Sequence, residues 1–317
     1  MQIIEPVDPR AFTTLFPDRT FPIRHDLVGN PLFSLERLID LLRTMPRDRI
    51  EFNSGKVAIS QDPTTTPMID LPPEEIVKRI ETCNAWMVLK RVENDPAYGA
   101  LLEQALLTTA RAQGYKCLDD AGYSDIQGFI FVSSPGSTTP FHADSEDNFF
   151  VQIHGEKFFH VYDNSDRSIA SEEMLEDVVV KHRNLKFDPA FDVKATHYTL
   201  KPGDGIFVPY QWPHYVQTSN TYSISLAITW KSEEIRRRND IFVVNSMLRG
   251  LGLPQMAPPG AQPLFDRLKL AALRSVVAVV EPLRRSEAVR RTLRRLALGK
   301  DANYYYGKDE DEKSRAA

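Results

Sequence analysis

One stretch of the chain concentrates residues that could bind a metal. It runs from Gly136 to Lys157 and reads GSTTPFHADSEDNFFVQIHGEK, with His142 and Asp144 two residues apart. On an extended strand, side chains at positions i and i+2 point to the same face, which would bring the imidazole and the carboxylate together. A further histidine, His214, comes much later, after the sequence KPGDGIFVPYQWP. Two histidines and one carboxylate form the facial ligand set of non-haem Fe(II) oxygenases.

The three ligand types do not decide the metal, because catalytic zinc sites also use two histidines and a carboxylate. Three ligands on one face leave open positions, which suits a bidentate cosubstrate and O2. Each residue also has a structural interpretation: an HxD pair is often a surface turn, and a lone strand-end histidine is often only hydrogen-bonded. The metal hypothesis depends on the combination, since each of the three stands at the mouth of a short strand.

A lysine near these residues suggests an anion site. Lys157 begins the segment KFFHVY, in which strand alternation places it on one face with Phe159 and Val161. A lysine on such a face predicts a buried ammonium that meets an anion, for example one carboxylate of a dicarboxylic cosubstrate. The alternative is a solvent-exposed lysine on an edge strand. Thr139 could donate its hydroxyl to the same carboxylate, or it could be an ordinary turn threonine.

The elements that would position these residues are mostly short strands. From Gly128 onward, segments rich in β-branched and aromatic residues alternate with Gly, Pro, Asn or Asp: GFIFVSS, NFFVQI, KFFHVY, HYTL, GIFVP and YSISLAITW. Successive short strands without intervening helices predict a sandwich or barrel. Apolar periodicity predicts helices at 33–45, 72–83, 98–113, 233–251 and 263–298, a helical insert at 171–180, and strands at 56–60 and 85–92.

Composition limits the class of protein. The 317 residues contain 39 Lys and Arg against 43 Asp and Glu, a formal net charge of −4, so a nucleic-acid binder that works through bulk charge is not expected. Two cysteines make no disulfide framework. The N-terminus has no signal-peptide pattern, and the longest apolar run, near 275–280, is too short for a membrane span. A cytoplasmic protein is therefore expected.

The block TPFHADSEDNFFVQIHGEK resembles the core of the JmjC and cupin-like 2-oxoglutarate oxygenases, especially asparaginyl hydroxylases of the type that inhibits the hypoxia-inducible factor. PGDGIFVP with a following histidine resembles the second cupin motif. The resemblance implies that His142, Asp144 and His214 bind Fe(II). It also implies that Lys157 and Thr139 hold the distal carboxylate of 2-oxoglutarate.

Two further positions follow from the same resemblance. Asn148 matches a family asparagine near the cosubstrate, although it could equally be a polar residue that starts a strand. The family's asparagine on the last core strand is replaced here, with Ile228 near that point.

The implied fold is α+β with a mainly β core, a double-stranded β-helix of the cupin or jelly-roll kind with N-terminal and C-terminal helices. Residues 1–120 would pack on the core, 121–231 would form the catalytic core, and 232–317 would supply C-terminal helices and a charged tail. The basic segment 284–300 is interpreted as a solvated helix face, so a nucleic-acid partner is not expected. A homodimer through the C-terminal helices is a further possibility.

The implied activity is Fe(II)- and 2-oxoglutarate-dependent hydroxylation of a protein or peptide side chain, with O2 consumed and succinate and CO2 released. Four alternatives stay open at this point: a small-molecule hydroxylase, an N-demethylase, a cupin isomerase or dioxygenase that does not use 2-oxoglutarate, and a metal-binding regulatory module without turnover.

Overall fold

A computed structural model of the chain describes residues 3–280. Contacts divide the chain into two compact units, one formed by residues up to 169 with 184–233, the other by 170–183 with residues from 234 onward. The strands are β1 Ile4–Pro6, β2 Phe21–His25, β3 Ile50–Ser54, β4 Ala85–Lys90, β5 Ser124–Ser133, β6 Thr138–His142, β7 Asp147–His154, β8 Lys157–Val161, β9 Thr196–Leu200, β10 Asp204–Val208, β11 His214–Thr218 and β12 Ser223–Lys231. The helices are α1 Ala11–Thr14, α2 Leu35–Thr44, α3 Pro73–Lys78, α4 Pro96–Ala112, α5 Glu172–Lys181, α6 Glu233–Gly250 and α7 Pro263–Val280.

The first unit is built on two antiparallel sheets. The larger has the order β1-β2-β10-β7-β12-β5-β4-β3, and the smaller has the order β6-β11-β8-β9. Of strands β5 to β12, four lie in the larger sheet (β5, β7, β10 and β12) and four in the smaller (β6, β8, β9 and β11), which is the topology of a double-stranded β-helix. The predicted fold class is confirmed. The N-terminal strands extend the larger sheet at both edges.

The larger sheet separates two apolar cores, and strict alternation along its central strand explains why. In β7, Phe149 and Val151 belong to the core that also contains buried side chains of α2 and α4, whereas Phe150 belongs to the core between the two sheets. Gly128 in β5 lets helix α4 approach closely, because a Cβ there would lie 2.7 Å from a methyl carbon of Leu102. Both faces of this sheet are therefore buried.

Local sequence signals account for several helix ends. Ser34 accepts a hydrogen bond from the backbone N–H of Arg37 and caps α2, and Ser171 caps α5 through Met174. Two predictions were wrong. Helix α3 ends at Lys78 rather than continuing to residue 83, and no strand forms at 56–60, since the strand that pairs with β4 lies earlier, in β3.

The second unit contains α5, α6 and α7. Arg249 of α6 lies 2.7–2.8 Å from carboxylate oxygens of Glu173, Glu176 and Asp177, and these ion pairs tie α6 to α5. Helix α7 is described to Val280, so the rest of the predicted helix 263–298, the basic segment 284–300 and the charged tail lie outside the described residues. None of the helices within residues 3–280 has the length and apolar content needed to cross a membrane.

Candidate metal and anion site

The two predicted histidine ligands come together because their strands pair. His142 ends β6, His214 begins β11, and the two are opposite each other in the antiparallel register. Their ring centroids are 4.2 Å apart. A register shift between His214 and Val216 marks this end of β11 as irregular.

Asp144 joins the histidines from a turn rather than from a strand. The expectation of a common strand face was wrong, because β6 ends at His142 and the chain then leaves the sheet. The backbone carbonyl of Asp144 accepts a hydrogen bond of 2.9 Å from the backbone N–H of Gln211, which holds the turn. One carboxylate oxygen lies 3.9 Å from His142 Nε2, and the other lies 3.9 Å from His214 Nε2. Two metal bonds of about 2.1 Å span up to about 4.2 Å, so one divalent ion fits these spacings.

Both histidines are held in the tautomer that can bind a metal. His142 Nδ1 donates to the carbonyl of Pro140 at 2.7 Å, and His214 Nδ1 donates to the carbonyl of Trp212 at 2.9 Å. A carbonyl can only accept, so Nδ1 carries a proton, and in the neutral ring Nε2 is left with the lone pair that can bind a metal near Asp144. Burial, followed by the proximity of His142, lowers the pKa of His214 to about 4, which favours the neutral, ligating form. These three side chains form a potential metal site.

Lys157 is buried inside the barrel, as strand alternation predicted. The residue is 2% exposed, and its Nζ lies 5.4 Å from the ring centroid of Phe131 and 5.2 Å from that of Phe150. No carboxylate among residues 3–280 forms an ion pair with it. Burial lowers its pKa to about 7. A buried ammonium beside aromatic rings and without a carboxylate partner is a place for an anionic ligand.

Thr139 and Asn148 lie near these groups but have protein partners of their own. The Thr139 hydroxyl accepts a hydrogen bond of 3.0 Å from the indole Nε1 of Trp86 in β4. The Asn148 amide Nδ2 donates to Asp144 Oδ2 at 3.3 Å. Asn148 thus orients a proposed metal ligand directly, whereas sequence reasoning placed it only near the cosubstrate.

A buried polar residue on the last core strand was missed. Thr229 of β12 lies opposite Asn148 of β7, and the Thr229 hydroxyl and the Asn148 Oδ1 are both buried without a hydrogen-bond partner. Ile228, the residue singled out from the sequence, belongs to the core on the other face of the sheet. Successive residues of a strand face opposite sides, so Thr229 and Ile228 point to different faces of the sheet.

Comparisons with known proteins agree with this architecture. Residues 98–234 match the family model described as a cupin-like domain. Lysine-specific demethylase 8 of Xenopus tropicalis is 29% identical over 124 residues, which is 37% of this chain and 28% of that protein. JmjC domain-containing protein A of Dictyostelium discoideum is 31% identical over 113 residues, 33% of this chain and 44% of that protein. The chain therefore spans less than half the length of these two curated relatives.

A solved structure is similar over most of the chain. The X-ray structure of Escherichia coli YcfD superimposes with a TM-score of 0.50 and 17% sequence identity, covering 91% of this chain and 71% of that one. At this identity the likeness concerns the fold alone. The sequence match over residues 98–234 and the double-stranded β-helix together identify a cupin-like domain in this chain.

Proposed function

We propose that the protein is an Fe(II)- and 2-oxoglutarate-dependent oxygenase, most simply a hydroxylase. One observation carries the proposal: the same barrel holds a convergent His-Asp-His set and a buried lysine that has no carboxylate partner among the described residues. A metal site alone would suit many cupin chemistries. A metal site together with a buried cation suits a cosubstrate that chelates the metal at one end and carries a carboxylate at the other.

The donor atoms fit the proposed ion. Two neutral imidazoles and one carboxylate give a mixed nitrogen and oxygen set of the kind that non-haem Fe(II) oxygenases use. Here His142, Asp144 and His214 would bind the iron, and Asn148 would hold the Asp144 carboxylate in place through its 3.3 Å hydrogen bond. Hydrogen bonds of this kind to metal ligands typically support metal affinity.

The other residues of the site would bind and shield the cosubstrate. Lys157 would make a charge-assisted hydrogen bond to the distal carboxylate of 2-oxoglutarate, with the Thr139 hydroxyl as a second donor. The apolar side chains of Phe150, Phe159 and Val216 would exclude water from the space between. When bound, iron and 2-oxoglutarate would supply the oxidising chemistry, in which O2 is consumed, succinate and CO2 are released and a substrate C–H bond is hydroxylated.

A protein or peptide side chain is the proposed substrate. The support is that one similar protein is named a lysine-specific demethylase. Demethylation of an N-methyl group and hydroxylation of a small molecule are alternatives that use the same site. A cytoplasmic location is part of the proposal.

The proposal also includes a homodimer through the C-terminal helices. Ile241 and Phe242 of α6 are 0% and 1% exposed, so a dimer surface on this helix would use the half-buried Val243, Val244 and Met247.

Anaerobic titration tests the central claim. Fe(II) added to the protein, followed by 2-oxoglutarate, should produce the weak visible charge-transfer absorption of the chelate. The variant Asp144→Ala should lack this band, whereas Asp163→Ala, which changes a carboxylate on the surface, should keep it. Iron bound without any band on addition of 2-oxoglutarate would contradict the proposal and favour a cupin that does not use this cosubstrate.

A further inference from the structure

Trp86 contacts the proposed anion site from outside the region that the family model matches. The match covers residues 98–234, whereas Trp86 lies in β4, which pairs with β5 in the larger sheet. Its indole Nε1 is 3.0 Å from Thr139 Oγ1, although 53 positions separate the two residues in the chain. The N-terminal segment thus supplies a polar contact to the barrel.

The direction of this hydrogen bond is fixed by chemistry. An indole N–H can only donate, so the Thr139 oxygen must be the acceptor. A threonine hydroxyl has one proton and two lone pairs, and the indole uses one of the lone pairs. The proton of Thr139 is therefore left to donate, and no acceptor for it is found among residues 3–280.

The same ring system connects Thr139 to Lys157. The ring centroids of Trp86 and Phe131 are 5.9 Å apart, and the Lys157 Nζ is 5.4 Å from the centroid of Phe131. Thr139 and Lys157 also lie on neighbouring parts of the smaller sheet, since β11 pairs Val216 with Thr139 and Thr218 with Lys157. Two donors, a hydroxyl and an ammonium, thus lie on the same face of the smaller sheet.

We propose that Trp86 is a positioning residue, which makes Thr139 a hydrogen-bond donor so that the pocket selects a ligand with a terminal carboxylate. A carboxylate only accepts, so it matches two donors, whereas a terminal group that must donate finds only the second lone pair of the Thr139 oxygen. Without the indole N–H, the Thr139 hydroxyl would be free to rotate and to present a lone pair instead. This inference rests on the proposed binding of 2-oxoglutarate.

A pair of ligands tests the inference by equilibrium binding, without turnover. Isothermal titration calorimetry on the Mn(II)-loaded 317-residue protein would compare 2-oxoglutarate with 2-oxopentanoate, which has the same five-carbon chain with a methyl group in place of the terminal carboxylate. Trp86→Phe should weaken binding of 2-oxoglutarate by about five- to tenfold, the size of one net hydrogen bond, and leave 2-oxopentanoate unchanged. Thr139→Val should produce a similar selective loss.

The double variant Trp86→Phe/Thr139→Val decides whether Trp86 acts through Thr139. If it does, the double variant should bind 2-oxoglutarate no more weakly than Thr139→Val alone. Additive losses, or equal losses for both ligands, would overturn the inference. Trp86→His, which retains a ring N–H donor, should recover part of the affinity and keeps the test decisive if Trp86→Phe folds poorly.

Two outcomes distinguish this inference from the proposed function. If the wild-type protein binds no 2-oxoglutarate, the proposed function is overturned as well. If the wild-type protein and Trp86→Phe bind 2-oxoglutarate equally tightly, only the role of Trp86 is overturned.

Discussion

Two buried lysines in different units of the protein have opposite surroundings. Lys269 of α7 is 4% exposed, and its Nζ is 3.5 Å from a carboxylate oxygen of Asp266, which is itself 1% exposed. Lys157 of β8 is 2% exposed and has aromatic rings but no carboxylate partner among the described residues. Both ammonium groups also lie near an aromatic ring, with the Lys269 Nζ 4.7 Å from the centroid of Phe265.

The difference suggests that the charge of Lys269 serves the folded structure, whereas the charge of Lys157 serves to bind a ligand. Taking an ammonium out of water costs several kcal/mol unless an anion compensates it. For Lys269 the protein supplies that anion itself, so the pair is complete in the folded chain. For Lys157 the compensation must come from a ligand, which makes this lysine a cost to the unliganded protein and a source of affinity for a carboxylate.

The largest expected effect is the loss of stability when Lys269, the lysine that is paired within the protein, is replaced. Within residues 3–280, Lys269→Met leaves the buried Asp266 carboxylate with the backbone N–H of Gly260, 2.8 Å away, as its remaining hydrogen-bond donor. We expect the free energy of unfolding to fall by about 3–5 kcal/mol. The matched variant Lys157→Met should leave the stability of the metal-free, unliganded protein unchanged or raised, because it removes an uncompensated charge. Urea unfolding followed by circular dichroism measures both.

A control addresses the cause of the loss. Asp266→Asn in the Lys269→Met background removes the orphaned charge and should restore part of the stability. Equal destabilisation by the two lysine variants would contradict the claim that only Lys269 is compensated within the protein.

The next effect concerns ligand affinity, where the two lysines should exchange roles. Lys157→Met should weaken binding of 2-oxoglutarate to the Mn(II)-loaded protein by about 100-fold, because a buried, charge-assisted hydrogen bond is lost. Lys269→Met, assayed at a temperature where it remains folded, should bind as the wild type does. Calorimetric titration gives both dissociation constants, and unchanged affinity in Lys157→Met would remove that lysine from the site.

A pH effect should distinguish Lys157 from the rest of the molecule. Burial lowers its pKa from 10.5 to about 7. Between these values the unfolded chain binds a proton that the folded chain does not, so the stability of the unliganded protein should rise with pH. The gain in the free energy of unfolding is complete above about pH 10.4, where Lys157 is neutral in both states, and it is lost as the pH falls to 7. In between, the free energy of unfolding changes by up to about 1.4 kcal/mol per pH unit.

Other groups also titrate in this window, so the informative quantity is the difference between wild type and Lys157→Met. Urea midpoints at several pH values from 7 to 10 should show a steeper rise for the wild type. Parallel curves would mean that burial does not disfavour the charged form of Lys157.

The smallest expected effect concerns the half-buried carboxylate of Asp144 and its contact with Asn148. Asn148→Ala removes the amide that donates to Asp144 Oδ2. Metal affinity should fall by about tenfold, since partners of metal ligands typically contribute that much. Competition between the protein and a coloured chelator for Co(II) measures it, with the exposed Asn94→Ala as the control. The same affinity for both variants would show that Asp144 needs no support from Asn148.

Part of the site followed directly from residue types and spacing. Strand alternation correctly placed Lys157 on the buried face with Phe159 and Val161. The set of His142, Asp144 and His214 was chosen from residue chemistry, and these side chains do converge in the fold. Their roles as metal ligands remain predictions until binding is measured.

The strands that carry the two histidines were harder to predict. Neither TTPFH in β6 nor HYVQT in β11 is among the six segments with a clear strand signal, because both are short and contain polar residues or proline. They are strands because β6, β11 and β8 pair with one another inside the smaller sheet. That pairing joins segments far apart in the chain, and local propensity carries no information about it.

By itself, the sequence determined the class of fold, the candidate ligands and the inward direction of Lys157, since all three depend on residue type and on the two-residue period of a strand. Only the tertiary structure decided which contacts those residues make. It placed Asp144 in a turn, put Thr229 rather than Ile228 opposite Asn148, and brought Trp86 to Thr139. These outcomes depend on register and on pairing between distant strands, where a shift of one residue moves every side chain of a strand to the opposite face of the sheet.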